Sequence, residues 1–425
     1  MAAAGIPSSW EELPADLLGQ VLKRLPSLDD LVRFRAVCRP WRAGGANQRH
    51  PLLPPPLPWL ALRDGSLVGL DGAPVRCAPI IREGVDFGYL AVDNLAFLVH
   101  DDGACSLLNP LSGLTLHLPK LASAVRRALD ESTFYDQSYI RRTYVKVILS
   151  SSPLDSALGP LVATIIMEGN SIAISSCKQP DAISISMRRK RTLVSARVIL
   201  GMSPEQRAER IQGPQRINDI AFFLGKLYAL TRHEGLRVIE LDAAHLSKAK
   251  SSPGFLQCIP DDLKQQEVYN CESDNRYLVL RYLAESDGRL LLLRRWMSVP
   301  PNARLGDHDR TIRFEVFQAD LATAPGRWIK VESLGGQALF IGSECSKSVL
   351  ASQCAGGVQE DCIYFMHRVF DNPSAEFFGS CVNPLGDSGV YNMRDRKITP
   401  LLPDAVMGEL QRKRQFVTWF FPADA

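Results

Sequence analysis

Apolar residues follow two different rhythms in this chain. Near the start, Leu17, Leu18, Val21, Leu22 and Leu25 recur at near-helical spacing and form one stripe. Pro14 falls in the first turn of that helix, where its missing N–H costs nothing. Pro26 ends the helix, and Ser27 or Asp29/Asp30 can cap a second one. Leu28, Leu31, Val32, Phe34, Val37 and Cys38 supply its apolar set, and Trp41 closes a short third turn. Three helices this short bury too little surface to be robust alone, so some of these positions meet a partner or the domain that follows.

The break between the two rhythms is Gly44-Gly45 followed by His50-Pro-Leu-Leu-Pro-Pro-Pro-Leu-Pro58, whose prolines favour an extended, semi-rigid spacer. From Trp59 onward the pattern is one of short strands. Leu60 to Leu70 holds an Asp-Gly turn between apolar runs, Leu90 to Leu108 repeats the theme, and Asn109-Pro-Leu-Ser-Gly113 turns into Leu114 to Pro119. Further strands are predicted over 144–149, 161–167, 171–175, 217–224, 226–231, 236–241, 277–282, 289–295, 312–318, 328–331, 338–341, 362–367 and 389–392. Many short strands with Gly, Asp and Asn turns predict an all-β domain behind the small all-α module. A β-propeller answers the pattern best because radial repetition leaves few exposed edges, with a large sandwich or barrel as the alternative. Two stretches interrupt it: a helix-compatible segment from Leu121 to Gln137, and a charged one from Arg188-Arg-Lys-Arg191 to Arg210. The basic quartet fits a solvated loop better than an import signal, and so does Arg412-Lys-Arg414.

Composition narrows the function. The 425 residues are 46% hydrophobic, ample for a core, and 49 basic residues against 46 acidic ones leave a net charge of +3. So near a balance does not point to nucleic acid, whose footprint is a concentrated basic face. The start lacks a signal-peptide pattern and no stretch reaches the length of a membrane span, which predicts a soluble protein with no membrane partner. Ten scattered cysteines without a Cys-x-x-Cys pair predict reduced, mostly buried thiols, and no Asn-x-Ser/Thr acceptor occurs. Both suit the cytoplasm or nucleus. Seven scattered histidines give no nucleophile–base arrangement, and Gly335-Gly336 and Gly342-Ser-Glu-Cys345 lack the Lys-Ser/Thr of a nucleotide loop. Neither catalysis nor a cofactor or metal site is predicted, and Cys345 reads as a buried thiol.

The order Leu13-Pro14, Leu17-Leu18, Leu25-Pro26, Leu31 and Val37-Cys38-Arg39-Pro40-Trp41 resembles the F-box. The resemblance implies docking onto a Skp1-type adaptor and, through it, a cullin-RING ubiquitin ligase. By similarity Leu13, Pro14, Leu17, Leu18, Leu25, Pro26 and Leu31 carry the adaptor-facing or module-defining surface, although each serves equally well as internal core on pattern alone. Leu13-Pro14 is expected to be the most exposed pair. Farther on, Leu334 to Val349, Asp361-Cys-Ile-Tyr-Phe365, Ser388 to Met393 and Trp419-Phe-Phe-Pro422 resemble the plant domain of unknown function 295, the KIB-type β-propeller domain. The expected organisation is a helical module over residues 8–50, a proline-rich linker over 51–59 and the propeller over 60–420.

Together the resemblances imply a plant substrate receptor of the Skp1–cullin–F-box type, holding an unidentified protein substrate on the propeller while other subunits catalyse. The alternative from a different class is a non-degradative regulatory or sequestering module. The glycine-rich Arg42-Ala-Gly-Gly-Ala46 departs from the family pattern and shortens the third helix.

Overall fold

A computed structural model describes residues 10, 13–22, 34, 37–41, 57–62, 64–81, 89–100, 104–118, 121, 144–150, 161–166, 171–176, 182–186, 217–239, 255–265, 268–270, 276–300, 310–342, 344–354, 357–366, 387–412 and 417–422. Leu25 and Pro26 at the end of the predicted first helix, residues 27–33 of the predicted second, the basic quartet Arg188–Arg191, and the segment from 122 to 137 lie outside the described residues, as do residues 51–56 of the linker.

Helix α1 spans Ala15–Leu22. The described strands then build six sheets, each a blade of a propeller. Blade 1 holds β1 (Trp59–Leu62), β2 (Leu67–Val68) and β3 (Pro74–Val75), and blade 2 holds β4 (Tyr89–Val92), β5 (Leu95–Val99), β6 (Cys105–Leu108) and β7 (Thr115–Leu118). Blade 3 comprises β8 (Tyr144–Leu149), β9 (Leu161–Ile166), β10 (Ser171–Ser176) and β11 (Ala182–Ser186). Blade 4 comprises β12 (Ile217–Phe223), β13 (Lys226–Thr231), β14 (Leu236–Ile239) and β15 (Phe255–Ile259). Blade 5 has five strands, β16 (Val268–Asn270), β17 (Arg276–Ser286), β18 (Arg289–Val299), β19 (Arg310–Asp320) and β20 (Arg327–Val331). Blade 6 also has five, β21 (Gln337–Ile341), β22 (Lys347–Leu350), β23 (Cys362–Phe365), β24 (Gly389–Asn392) and β25 (Ile398–Thr399). After α2 (Asp404–Arg412), strand β26 (Val417–Phe420) returns to blade 1 and pairs antiparallel with β1, from Trp59 opposite Phe420 to Leu62 opposite Val417.

Turn chemistry sets the hairpins. Asp287 and Gly288 both adopt positive φ, +49° and +68°, and join β17 to β18 as the two-residue turn whose twist matches the strands. In Asn109-Pro-Leu-Ser-Gly113 the Asn109 side chain accepts the Leu111 and Ser112 N–H groups at 2.9 and 3.1 Å, and Gly113 turns the chain at φ +72°.

The core lies between blades. Leu90, Phe97 and Leu107 of blade 2 pack on Val147 and Val162 of blade 3, and Ala163 and Ile172 of blade 3 on Ile220 and Leu227 of blade 4. Leu230 and Leu236 meet Leu283 and Leu292 of blade 5, while Leu291 and Phe314 meet Leu339 and Phe365 of blade 6. Phe340 and Tyr364 of blade 6 cluster with Leu60 and Trp419 of blade 1, and Ala61 and Phe420 with Ala91 and Leu98 of blade 2. Each blade is therefore covered on both faces, which is why strands such as β21 are buried along their whole length. Blade 6 departs from a simple meander: the chain enters on β21, doubles back to β22, then crosses so that β23 runs parallel to β21.

Candidate functional site

The described residues of the helical module share one apolar cluster. The carbonyl of Pro14 accepts the N–H groups of both Leu17 and Leu18 at 3.0 Å and so starts α1 just outside the helix. Leu18 and Phe34 are buried, and Leu13, Val21 and Trp41 pack partly against them. The Phe34 and Trp41 rings lie 4.7 Å apart, and the Trp41 indole N–H donates to the Trp10 carbonyl at 2.8 Å. Apolar side chains remain outside this core: Leu17 is 41% exposed, Val37 59% and Trp10 77%.

Each expected site residue can now be placed. Pro14 is exposed, but Leu13 is half-buried in the module's own core, so Leu13-Pro14 is not the exposed apolar pair; Leu17 takes that position. Leu18, 3% exposed, defines the module from within. Leu25, Pro26 and Leu31 lie outside the described residues. Val37, expected in the apolar set of the second helix, is exposed and so forms a second outward apolar position.

The second candidate region is where successive blades touch through β26, β4, β8, β12, β17 and β22. Polar bridges tie them together. Lys146 and Asp219, both buried, pair at 2.6 Å between blades 3 and 4. The Ser286 and Ser348 hydroxyls meet at 2.8 Å between blades 5 and 6, and Lys347 pairs with Asp93 at 3.0 Å from blade 6 to blade 2. Glu234 at the β13–β14 turn takes Arg281 Nε at 2.6 Å and Arg294 Nη2 at 2.5 Å from blade 5. Arg295 is wholly buried, pairs with Asp387 at 2.6 Å and stacks over Phe365. Sequence reading missed every one of these charges, since a buried Lys or Arg inside a strand has the same local pattern as a solvent-facing one.

These groups hold blades together. Among the described residues no group of three or more His, Cys, Asp or Glu side chains is placed to bind a metal ion. Burial pushes the Cys345 thiol up to about 12, with the Asp93 charge adding to it, so it is a poor nucleophile. Cys105, Cys345 and Cys362 are buried, whereas Cys38, Cys77, Cys258 and Cys354 are half-buried, so the described thiols are less uniformly interior than expected. All seven are free. No described helix is long and apolar enough to cross a membrane.

Comparison with known proteins bears on both regions. A family model described as KIB1-4 beta-propeller matches residues 83–392, and one described as F-box-like matches residues 10–43. F-box protein SKIP23 of Arabidopsis thaliana is 24% identical over 420 residues, spanning 92% of this chain and 90% of its own length. F-box protein At2g26160 of the same plant is 22% identical over 369 residues, spanning 85% and 96% respectively. Putative F-box protein At1g65770, also from Arabidopsis thaliana, is 25% identical over 395 residues, spanning 90% and 97%.

Proposed function

This chain belongs to the KIB1-4 β-propeller family, with an F-box-like module ahead of the propeller, and from that premise we propose that it is the substrate-recognition subunit of a Skp1–cullin–F-box ubiquitin ligase. An F-box joined to a propeller is a scaffold rather than a catalyst. In this reading the helical module holds a Skp1-type adaptor, and the propeller holds a protein substrate. Tethering both on one chain raises the effective concentration of substrate beside the ubiquitin-charged enzyme, with no chemistry asked of the chain itself.

The observation that carries the reading is the outward placement of Trp10, Leu17 and Val37 on a module whose described residues bury Leu18 and Phe34. Exposed apolar groups on so small a unit gain most by docking into a partner's groove. We assign Pro14, Leu17 and Val37 to the adaptor contact, together with Leu25, Pro26 and Leu31 from the family pattern, and Leu13 and Leu18 to supporting it. The free thiols accord with a cytoplasmic or nuclear setting.

The test is reconstitution of the full chain with a Skp1-type adaptor, a cullin and a RING subunit. Proteins that bind the propeller are then assayed for ubiquitin transfer. Transfer that requires both the adaptor and Leu17 supports the reading; stable propeller partners whose modification and turnover ignore the ligase would replace it with a sequestering module.

A further inference from the structure

The ring closes where three blades meet at one carboxylate. Glu344 leaves the end of blade 6's β21, its side chain is buried, and its Oε2 accepts the Ala91 N–H of β4 in blade 2 at 3.0 Å, reaching past the closing strand β26 of blade 1. A Cβ on Gly342 would lie 3.0 Å from the Cys345 carbonyl oxygen and 3.2 Å from the Trp419 ring, so Gly342 is packed closely against Cys345 and β26. Trp419 in turn donates its indole N–H to the Ile341 carbonyl at 3.0 Å, and Phe421 donates its N–H to the Asp93 carbonyl at 2.8 Å.

Among the described residues no Lys, Arg or His side chain lies within ion-pair distance of Glu344. Lys347, three residues on, is given to Asp93, and Lys146 of β8 to Asp219. A buried carboxylate with uncharged donors and no cation beside it is costly as an anion and tolerable as a neutral acid. The other titratable groups at the seam are Tyr89 from β4, Asp93 from the turn after it and Cys345 next to Glu344; β26 contributes the uncharged Thr418. Burial lifts the Tyr89 hydroxyl well above its ordinary value, helped by the Glu344 charge, and lifts Cys345 to about 12, so both stay protonated at neutral pH.

We propose that Glu344 is a proton-operated latch on the closure of the ring. As a neutral acid it sits in the seam between blades 6, 1 and 2 while still accepting the Ala91 N–H; as a carboxylate it loosens that seam. The latch adjoins blade 1, whose first strand follows the linker from the helical module, so it sets how firmly the two ends of the propeller domain are joined.

Burial moves the Glu344 carboxyl up to about 7, against the Ala91 N–H and the Thr418 hydroxyl, which pull it down. A raised acid pKa means that the closed seam holds the proton between the ordinary value of 4.5 and about 7, so the stabilisation is full below that window and is lost as pH rises through it. Between pH 6 and pH 8 the seam's opening equilibrium should shift by about tenfold.

Hydrogen exchange of the Ala91 and Phe421 amides in the full chain, corrected for the intrinsic dependence of exchange on pH, reads this directly. The latch predicts about a tenfold loss of protection from pH 6 to pH 8 in the wild type and a flat profile in Glu344→Gln. Glu344→Met, uncharged and similar in volume, replaces the Gln variant if that one does not fold. A flat wild-type profile, or one shared by wild type and variant, overturns the latch.

Discussion

Lys146 of β8 and Asp219 of β12 meet at 2.6 Å between blades 3 and 4, and the other oxygen of the same carboxylate accepts the Leu283 N–H of blade 5 at 2.7 Å. One buried carboxylate thus links strands of three consecutive blades. Removing either partner deprives the other buried charge of this pairing, so Asp219→Asn and Lys146→Met should each cost about 3–5 kcal/mol of stability. A Lys146→Met/Asp219→Asn double variant should cost clearly less than the sum of the singles, because the orphaned charge is then absent. Chemical denaturation of the four proteins measures the cycle, and additive costs would deny the coupling.

Arg295 and Asp387 form a second buried pair, closed by Thr311, whose N–H and hydroxyl reach the same carboxylate at 2.8 and 2.7 Å. Burial pushes the Asp387 carboxyl up, but the Arg295 guanidinium and the Thr311 donors outweigh it and hold the carboxyl below its ordinary value. A depressed carboxylate contributes stability above the unfolded-state value, about 3.9, and that contribution fades as pH falls through the lower folded one. Asp387→Asn should therefore be clearly less stable than wild type at pH 7, and the gap should narrow below about pH 4. Thermal midpoints across that range decide it, and a constant gap would contradict the assignment.

Closure depends on β26. Trp419 is fully buried with its ring edge-on to Phe340 at 5.0 Å, and Trp419→Ala should cost about 3–5 kcal/mol. Ending the chain at Arg412 removes one of the two strands paired with β1 and leaves an open, apolar edge, the kind that pairs with other chains. Size-exclusion chromatography should then show association in place of the parent's species; an unchanged profile would mean that the ring does not rely on this strand.

Much of the propeller was legible because its turns and strands are local. Lys226–Thr231 and Gly389–Asn392 fall where alternation and flanking turn residues put them, and Asp287-Gly288 marks its hairpin by composition alone. What local pattern lacks is partnership. Trp419-Phe420 was read as a family signature, yet nothing near it says that it pairs with Trp59-Leu60 at the other end of the domain. The parallel pairing of β21 with β23 is hidden for the same reason, since it depends on a crossing rather than on either strand. Outer strands such as Phe255–Ile259 escaped because Leu256 and Gln257 are both exposed, which breaks the alternation that identifies a half-buried strand. In the helical module the apolar stripe was readable, but not which of its members turn outward: Leu17 and Leu18 are adjacent and equally apolar, and only packing separates the exposed one from the buried one.

That distinction supplies the most direct measurement. Calorimetric titration of the purified full chain with a Skp1-type adaptor, beside a Leu17→Asp variant, tests the substrate-receptor reading at its anchor. It predicts saturable binding by the parent and at least about a tenfold loss in the variant, whose thermal midpoint stays unchanged because Leu17 lies outside the core. No binding by the folded parent, or equal binding by both proteins, would contradict it.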